Sequence, residues 1–347
     1  MRDPRQPVRH DGVVGDLEQL PKAHLHLHLT GGMRPSTLRD LAAEQGRRLP
    51  PDLLDPVDVD ATQLRGWAKF QRLYDAARAL LVGPDQVRRV VKEIVEDQAA
   101  AGVRWLELQV DPSTYAPRLG GLHAAVEVVL DALRNDLGVG TGLVLAGNRT
   151  RHPSETETLA RLARQFDGVV GLGLSNDETR GDTRDFEKAF RLARDAGLVS
   201  VPHAGELRGA GSVQLAVERL GATRVGHGVR AVEDPALLDL MAALDVCCEV
   251  NPVSNVSLHV HGSVADNPWR ALRAAGVPVA IGADDPLLFR ASLLDNYAVL
   301  GASDDELADL AACSIRSSTA PASVQGPLLA EVQTWLRPPD SAQPLSG

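Results

Sequence analysis

The stretch DQVRRVVKEIVEDQAAAGVRWLELQV, residues 85–110, holds the repeating unit of the chain. Its first part spaces apolar residues near 3.6 (Val87, Val90, Val91, Ile94, Val95) and stops at Gly102, which predicts a helix over 85–102. A short apolar run follows at once, which predicts a strand over 103–110. The same alternation runs through most of the 347 residues. Further strands are expected at 22–29, 139–145, 168–174, 198–203, 223–227, 245–250 and 277–283, each bounded by Gly, Pro, Asp or Asn. Helical patterns such as DFEKAFRLARDAG (185–197) separate them. Eight alternations argue for an α/β fold with one closed parallel (β/α)8 barrel rather than an open sheet. A long helical insertion at 34–82 follows the first strand, placed to cover the barrel mouth, and extra helices follow the last strand. The expected organisation is a flexible N-terminal arm (1–19), a single barrel domain (20–336) and a disordered tail, RPPDSAQPLSG (337–347).

Composition narrows the function. Hydrophobic residues make up 44%, enough for a large core, but aromatics only 3%, so aliphatic side chains and Ala must fill it. The net charge of -10 argues against a nucleic-acid surface, which needs clustered Lys and Arg. No segment approaches the roughly 20 apolar residues of a membrane span. The N-terminus, MRDPRQPVRHDGVVGD, lacks the apolar core of a signal peptide, so a cytoplasmic location is expected. Cys247, Cys248 and Cys313 fit no zinc-knuckle or disulfide spacing and read as buried small hydrophobes. A small-molecule substrate is the remaining expectation; the oligomeric state stays open.

Barrel enzymes carry their reactive groups where strands end and loops begin. The first strand, KAHLHLHL, sets His24, His26 and His28 on one face by period-two alternation, with Leu25, Leu27 and Leu29 on the other. The fifth strand ends in HAGE, with His203 and Glu206; the sixth in GHG, with His227; the eighth in GADDP, with Asp284 and Asp285. Imidazole and carboxylate groups from four strand ends converge on one mouth, and such N/O donors suit Zn²⁺.

The run PKAHLHLHLTGGMRPSTL, with HAGE, RVGHGVR, EVNPVSNVSL and GADDPLLF in this order, resembles the adenosine deaminase family of the amidohydrolase superfamily, from residue 21 to about 289. The resemblance implies one zinc held by His26, His28, His203 and Asp284, which supplies hydroxide to C6 of an adenine ring. It implies that His227 holds or deprotonates the attacking water. Glu206, kept protonated by burial, gives a proton to N1. Asp285 bonds N7 as the neutral acid, and the backbone N–H near Asn176 contacts N3. Adenosine or 2′-deoxyadenosine leads as substrate. Adenine, a 5′-substituted adenosine such as aminodeoxyfutalosine, and N6-modified AMP are alternatives. A different amidohydrolase or a non-catalytic relative is the reading from another class. Binuclear amidohydrolases carry a carbamylated Lys at the end of strand four, and here that end reads GLGLSND.

Three positions depart from the family pattern. His24 stands where relatives usually have Glu and is expected to point down the barrel below the ligands, in a supporting or packing role. Asn176 replaces a usual Gly, and Asn tolerates left-handed geometry better than most residues. Thr30 stands where adenosine-specific relatives have an acid for the ribose 5′-hydroxyl. Arg34 and Arg149 are the candidates for a phosphate clamp. Trp67, Phe70 and Leu73 in GWAKFQRLYDAARALL fit either core packing or an apolar lid.

Overall fold

The computed structural model describes residues 16–336. Most of the expected arm, residues 1–15, and the whole tail 337–347 lie outside them.

Eight strands occur among the described residues: β1 (Lys22–His28), β2 (Val103–Val110), β3 (Gly140–Asn148), β4 (Val169–Ser175), β5 (Val199–Ala204), β6 (Arg224–His227), β7 (Cys247–Val250) and β8 (Val279–Ile281). They pair in sequence order and in parallel. The ring closes at its C-terminal end, where Leu27 bridges to Asp284. There His28 N–H donates to Asp284 O (3.1 Å) and Asp284 N–H donates to His26 O (3.0 Å). The seam that shuts the barrel therefore runs through the candidate site. Every expected strand overlaps an observed one. β7 starts two residues later than expected because Asp245 takes a left-handed φ of 55°.

The insertion forms α1 (Pro35–Glu44) and α2 (Leu64–Arg78), and the helix over 85–102 is α3 (Pro84–Ala100). α3 opens on Pro84, whose missing N–H costs a first turn nothing. Its stripe of Val87, Val90, Val91, Ile94 and Val95 is buried, each side chain contributing about 1.5–3 kcal/mol before entropy is counted. Gly102 ends it at φ 76°, where a Cβ would lie 2.2 Å from Glu18 O, so glycine is required there. Helices Asp304–Ser317 and Ala322–Leu336 complete the chain, the first packing on β1 and β8. No helix among the described residues is long and apolar enough to cross a membrane.

The period-two reading of β1 fails at His24. The β1–β2 register shifts twice, between Lys22 and Ala23 and between His24 and Leu27, so His24 lies in the slipped stretch. His24 pairs with Leu106 and shares its outward direction, while His28 pairs with Gln109, which faces inward. The His24 ring meets Gln98 on α3, Nδ1 to Oε1 at 2.8 Å, and its Nε2 accepts from Ala283 N–H at 3.1 Å. Burial holds it neutral, at about 4. His24 thus lies outside the barrel lumen and supports the β1–β8 seam instead of sitting below the ligands.

Midway down the lumen lies a charged layer. Arg224 Nε donates to Glu249 Oε1 (2.7 Å), Nη2 pairs with Glu107, and Nη1 donates to Ser317 O (2.9 Å). All three side chains are at most 2% exposed.

Candidate active site

At the C-terminal ends of the strands lies a cavity open to solvent. His28, His203, Glu206, His227, Asp284 and Asp285 line it. His28 Nε2 lies 3.2 Å from His203 Nε2 and 3.4 Å from Asp284 Oδ1. His26 Nε2 lies 3.7 Å from the same oxygen. Across from them, His227 Nε2 is 3.6 Å from Glu206 Oε2. The histidines and acids expected at strand ends are thus brought together.

Backbone conformation aims several of these groups. Asp284 (φ 59°), His227 (φ 63°) and Asn176 (φ 79°) all adopt the left-handed region, a conformation that costs non-glycine residues energy and clusters at functional sites. Asn176 has the geometry open to the glycine it replaces, and it lines the cavity. Gly31 lets β1's loop pass Asp285, since a Cβ there would lie 1.8 Å from Asp285 Oδ1.

Supporting residues escaped the sequence reading. Glu249 Oε2 accepts from His26 Nδ1–H (2.9 Å), and Ser254 Oγ donates to Asp284 Oδ2 (2.6 Å). Glu178 is the anchor of the HAGE turn. Its buried carboxylate accepts from the backbone N–H of Gly205 (2.6 Å), Glu206 (3.0 Å), Leu207 (2.6 Å) and Arg208 (3.0 Å), and from Ser212 Oγ (2.6 Å). A lone acid in GLSNDE carried no sign of this. Four consecutive N–H groups after a strand end are the physical signal, because buried donors must find an acceptor.

Electrostatics separates the acids. Burial, then the charges of Asp284 and Glu178, pushes the Glu206 carboxyl well above the usual range. Burial and the Asp284 charge do the same to Asp285. Asp284 stays ionised in spite of burial, chiefly because of His26, which Asp284 and Glu249 hold protonated when no metal is bound. Burial keeps His28 and His227 neutral, at about 4 and about 3, and holds His203 well below its ordinary value.

Other candidates lie elsewhere. Thr30 is fully buried and does not line the cavity; its hydroxyl meets Tyr115 OH at 2.6 Å, and Tyr115 is the residue that faces the space. Arg149 is buried and lines no cavity. Its Nη2 donates to His203 O (2.5 Å), a carbonyl that needs a donor where β5 ends. Arg34 is held by Asp97 and Glu96 away from the cavity. Neither arginine forms a phosphate clamp. Trp67 and Phe70 on α2 line the cavity and pack with their rings tilted by 52°, centroids 5.3 Å apart, whereas Leu73 faces the core. α2 also brings Tyr74 and Arg78 to the space.

The donor set suits a metal ion. Glu249 is held ionised against burial by the His26 bond and the Arg224 charge, so the shared hydrogen sits on His26 Nδ1. Without a metal, Asp284 and Glu249 raise His26 to about 10 against its burial, so Nε2 carries a hydrogen too; an ion bound there would displace it and use the lone pair of a buried atom with no hydrogen-bond partner. Ring nitrogens of His26, His28 and His203 lie within 4.8 Å of one another. Neutral imidazoles with one carboxylate are the ligands that Zn²⁺ accepts.

The model of the adenosine deaminase family matches residues 21–335. A Streptomyces coelicolor protein with the provisional name adenosine/adenine deaminase is 52% identical over 93% of this chain and 98% of its own length. The solved adenine deaminase from Arthrobacter aurescens superposes with a TM-score of 0.82 at 32% identity, covering 91% of this chain and 99% of that one. An amidohydrolase from Burkholderia ambifaria with bound Zn gives 0.78 at 26% identity, covering 92% and 91%. The chain belongs to the adenosine deaminase family, hydrolytic deaminases that act on C–N bonds.

Proposed function

We propose that the chain removes the 6-amino group of an adenine nucleoside as ammonia, with a 5′-substituted adenosine preferred to adenosine or 2′-deoxyadenosine, and with residues 20–336 acting as one domain. His26, His28, His203 and Asp284 hold one zinc. The observation that carries the reading is the meeting, at one strand-end cavity, of a cluster of ring nitrogens from His26, His28 and His203 beside Asp284 with two buried acids pushed toward the neutral form, Glu206 and Asp285.

Zinc bound there supplies Lewis acidity that makes a water deliverable as a nucleophile near neutral pH. Glu206 gives N1 its proton as the water oxygen adds to C6, which relieves the charge that addition would leave on the ring. The Glu206 carboxylate then takes one proton of the added water and passes it to the amino nitrogen. The C6–N bond breaks, ammonia leaves, and the second water proton returns to Glu206 as the C6 carbonyl forms, replacing the one given to N1. Asp285, as the neutral acid, donates to N7, an atom that only accepts. The backbone N–H at Asn176 serves N3. Trp67 and Phe70 cover the ring and keep out water, which strengthens these electrostatic contacts.

The 5′ end is read differently from an acid-bearing relative. No carboxylate stands at position 30, and the Thr30 hydroxyl is already paired with Tyr115. Tyr115, Tyr74 and the cation Arg78 face the cavity instead. This supports adenosines with a substituted 5′ end over adenosine itself. Free adenine is the second reading, supported by the likeness to a solved adenine deaminase. A panel of adenosine, deoxyadenosine, adenine, N6-methyl-AMP and 5′-substituted adenosines on zinc-loaded protein separates these, with ammonia release as readout. The expected order puts a 5′-substituted adenosine first. A clear preference for adenine would select the second reading, and silence across the panel would remove the deaminase assignment.

Asp284→Ala tests the ligand set. It is expected to lower zinc affinity by at least the roughly 10–100-fold seen when even an outlying partner of a metal site is lost. Elemental analysis after dialysis measures it, and full stoichiometry in the variant would remove Asp284 from the ligands.

A further inference from the structure

We infer that Asn251 and Asn255 are positioning residues that fix His227 as its Nε2–H tautomer, so that the ring holds the attacking oxygen by donating to it and takes no proton from it. The inference rests on the deaminase reading above and decides between the two roles that reading leaves to His227.

The geometry is local and buried. His227 Nδ1 faces two amide nitrogens, Asn255 Nδ2 at 3.1 Å and Asn251 Nδ2 at 3.5 Å. An amide nitrogen only donates. The orientation of Asn251 is set independently of the ring, because the same Nδ2 donates to Glu249 O (3.1 Å), a carbonyl that only accepts. Turning that amide would set two acceptors against each other. The backbone of Asn255 is held in place, and its side chain presents Nδ2 to the ring while its Oδ1 has no hydrogen-bond partner. Its N–H donates to Asn251 O (3.0 Å), and its carbonyl accepts from Val260 N–H (2.8 Å) and His261 N–H (3.2 Å). Gly282 packs against Asn251, where a Cβ would come within 2.4 Å of Asn251 Oδ1. Both asparagines are fully buried and His227 is 1% exposed, so solvent offers Nδ1 no alternative partner.

A neutral imidazole that accepts at Nδ1 carries its hydrogen on Nε2. That nitrogen is the one near Glu206 Oε2, on the cavity side. With a hydrogen there, the ring has no lone pair to offer the water. Glu206 therefore takes both protons of the water, one passed on to the amino nitrogen and one replacing the proton it gave to N1. The same hydrogen takes Nε2 of His227 out of the ligand set, although His26, His227 and Asp284 also lie close enough to share a metal.

Asn255→Asp tests this on the zinc-loaded protein. The aspartate accepts from Nδ1–H and so draws the hydrogen away from Nε2, with almost no change of shape. Long-range proton–nitrogen spectra of histidine-labelled protein, assigned by the signal lost in His227→Gln, are expected to show Nε2–H in the wild type and Nδ1–H in the variant. kcat is expected to fall about 10²-fold, the size of losing one aligned donor to a developing oxyanion, with KM changed less than about twofold. A wild-type spectrum with the hydrogen on Nδ1 would overturn the inference. So would unchanged or faster turnover in Asn255→Asp, which is what a ring acting as base would give. The wild-type spectrum decides the tautomer even if the variant does not fold, or if no purine in the panel is turned over. In the latter case the function falls while the tautomer stands.

Discussion

Glu206→Gln is expected to keep its zinc and its fold while turnover falls by about 10²–10⁴-fold, the range for losing a general acid–base group. Gln has nearly the same shape, and Glu178 holds the turn through backbone N–H groups that the substitution leaves in place. What disappears is the proton for N1. The pH profile carries a second signature. The working form is the neutral acid, and burial with the Asp284 and Glu178 charges raises its pKa. Wild-type activity should therefore fall as the pH rises through that raised value, and this limb should be missing from the residual activity of the variant. Steady-state rates of ammonia release across pH, with zinc measured in the same samples, check both. Wild-type rates in Glu206→Gln would remove the residue from the acid role.

Arg224→Met should destabilise the fold by about 3–5 kcal/mol, because it leaves buried carboxylates without their cation. Glu107 and Glu249 are each 0% exposed, and Arg224 stands between them. The guanidinium remains charged in spite of burial because both carboxylates attract it. In the native protein, Glu249 lies below the ordinary glutamate range, so its contribution is present above that range and lost as the pH falls through the lowered value. In Arg224→Met the sign inverts. A carboxylate facing another across an apolar wall has a raised value, so the deficit should shrink as the pH is lowered from 7 toward 5. Urea midpoints at several pH values measure this. A loss below about 1 kcal/mol would mean that desolvation of the three charges already cancels their attraction.

The barrel was legible in the sequence because parallel strands buried on both faces leave short apolar runs between amphipathic helices. Residues 103–110 show this plainly, and the expected strand is the observed one. The convergence of His26, His28, His203, His227 and Asp284 was also legible, because strand ends share one mouth. The face of His24 was not. A one-residue slip reverses the side chains between it and the next shift, and nothing in KAHLHLHL marks where a strand slips. Thr30 was misjudged for a related reason. Its position along the chain is right for a contact with the cavity, but Tyr115, 85 residues away, occupies the intervening space. The charged layer was written as single acids and one arginine inside apolar strands: Glu107 in VRWLELQV, Glu249 in CCEV, Arg224 in RVGH. Each alone is uninformative, since only the closed ring makes them neighbours.

Barrels diversify because their loops vary one at a time over a constant frame. The carboxylate of Glu178, clasped by four consecutive amides of the neighbouring loop, removes that independence here. An insertion or deletion between Asn176 and Gly181 would carry the clasp with it and shift the acid on the neighbouring loop. Substrate range in this lineage is therefore free to drift through the insertion that holds Tyr74 and Arg78, while the loop after β4 is locked to the chemistry. Anyone grafting loops to redirect the enzyme would have to exchange residues 176–181 and 205–212 as one cassette.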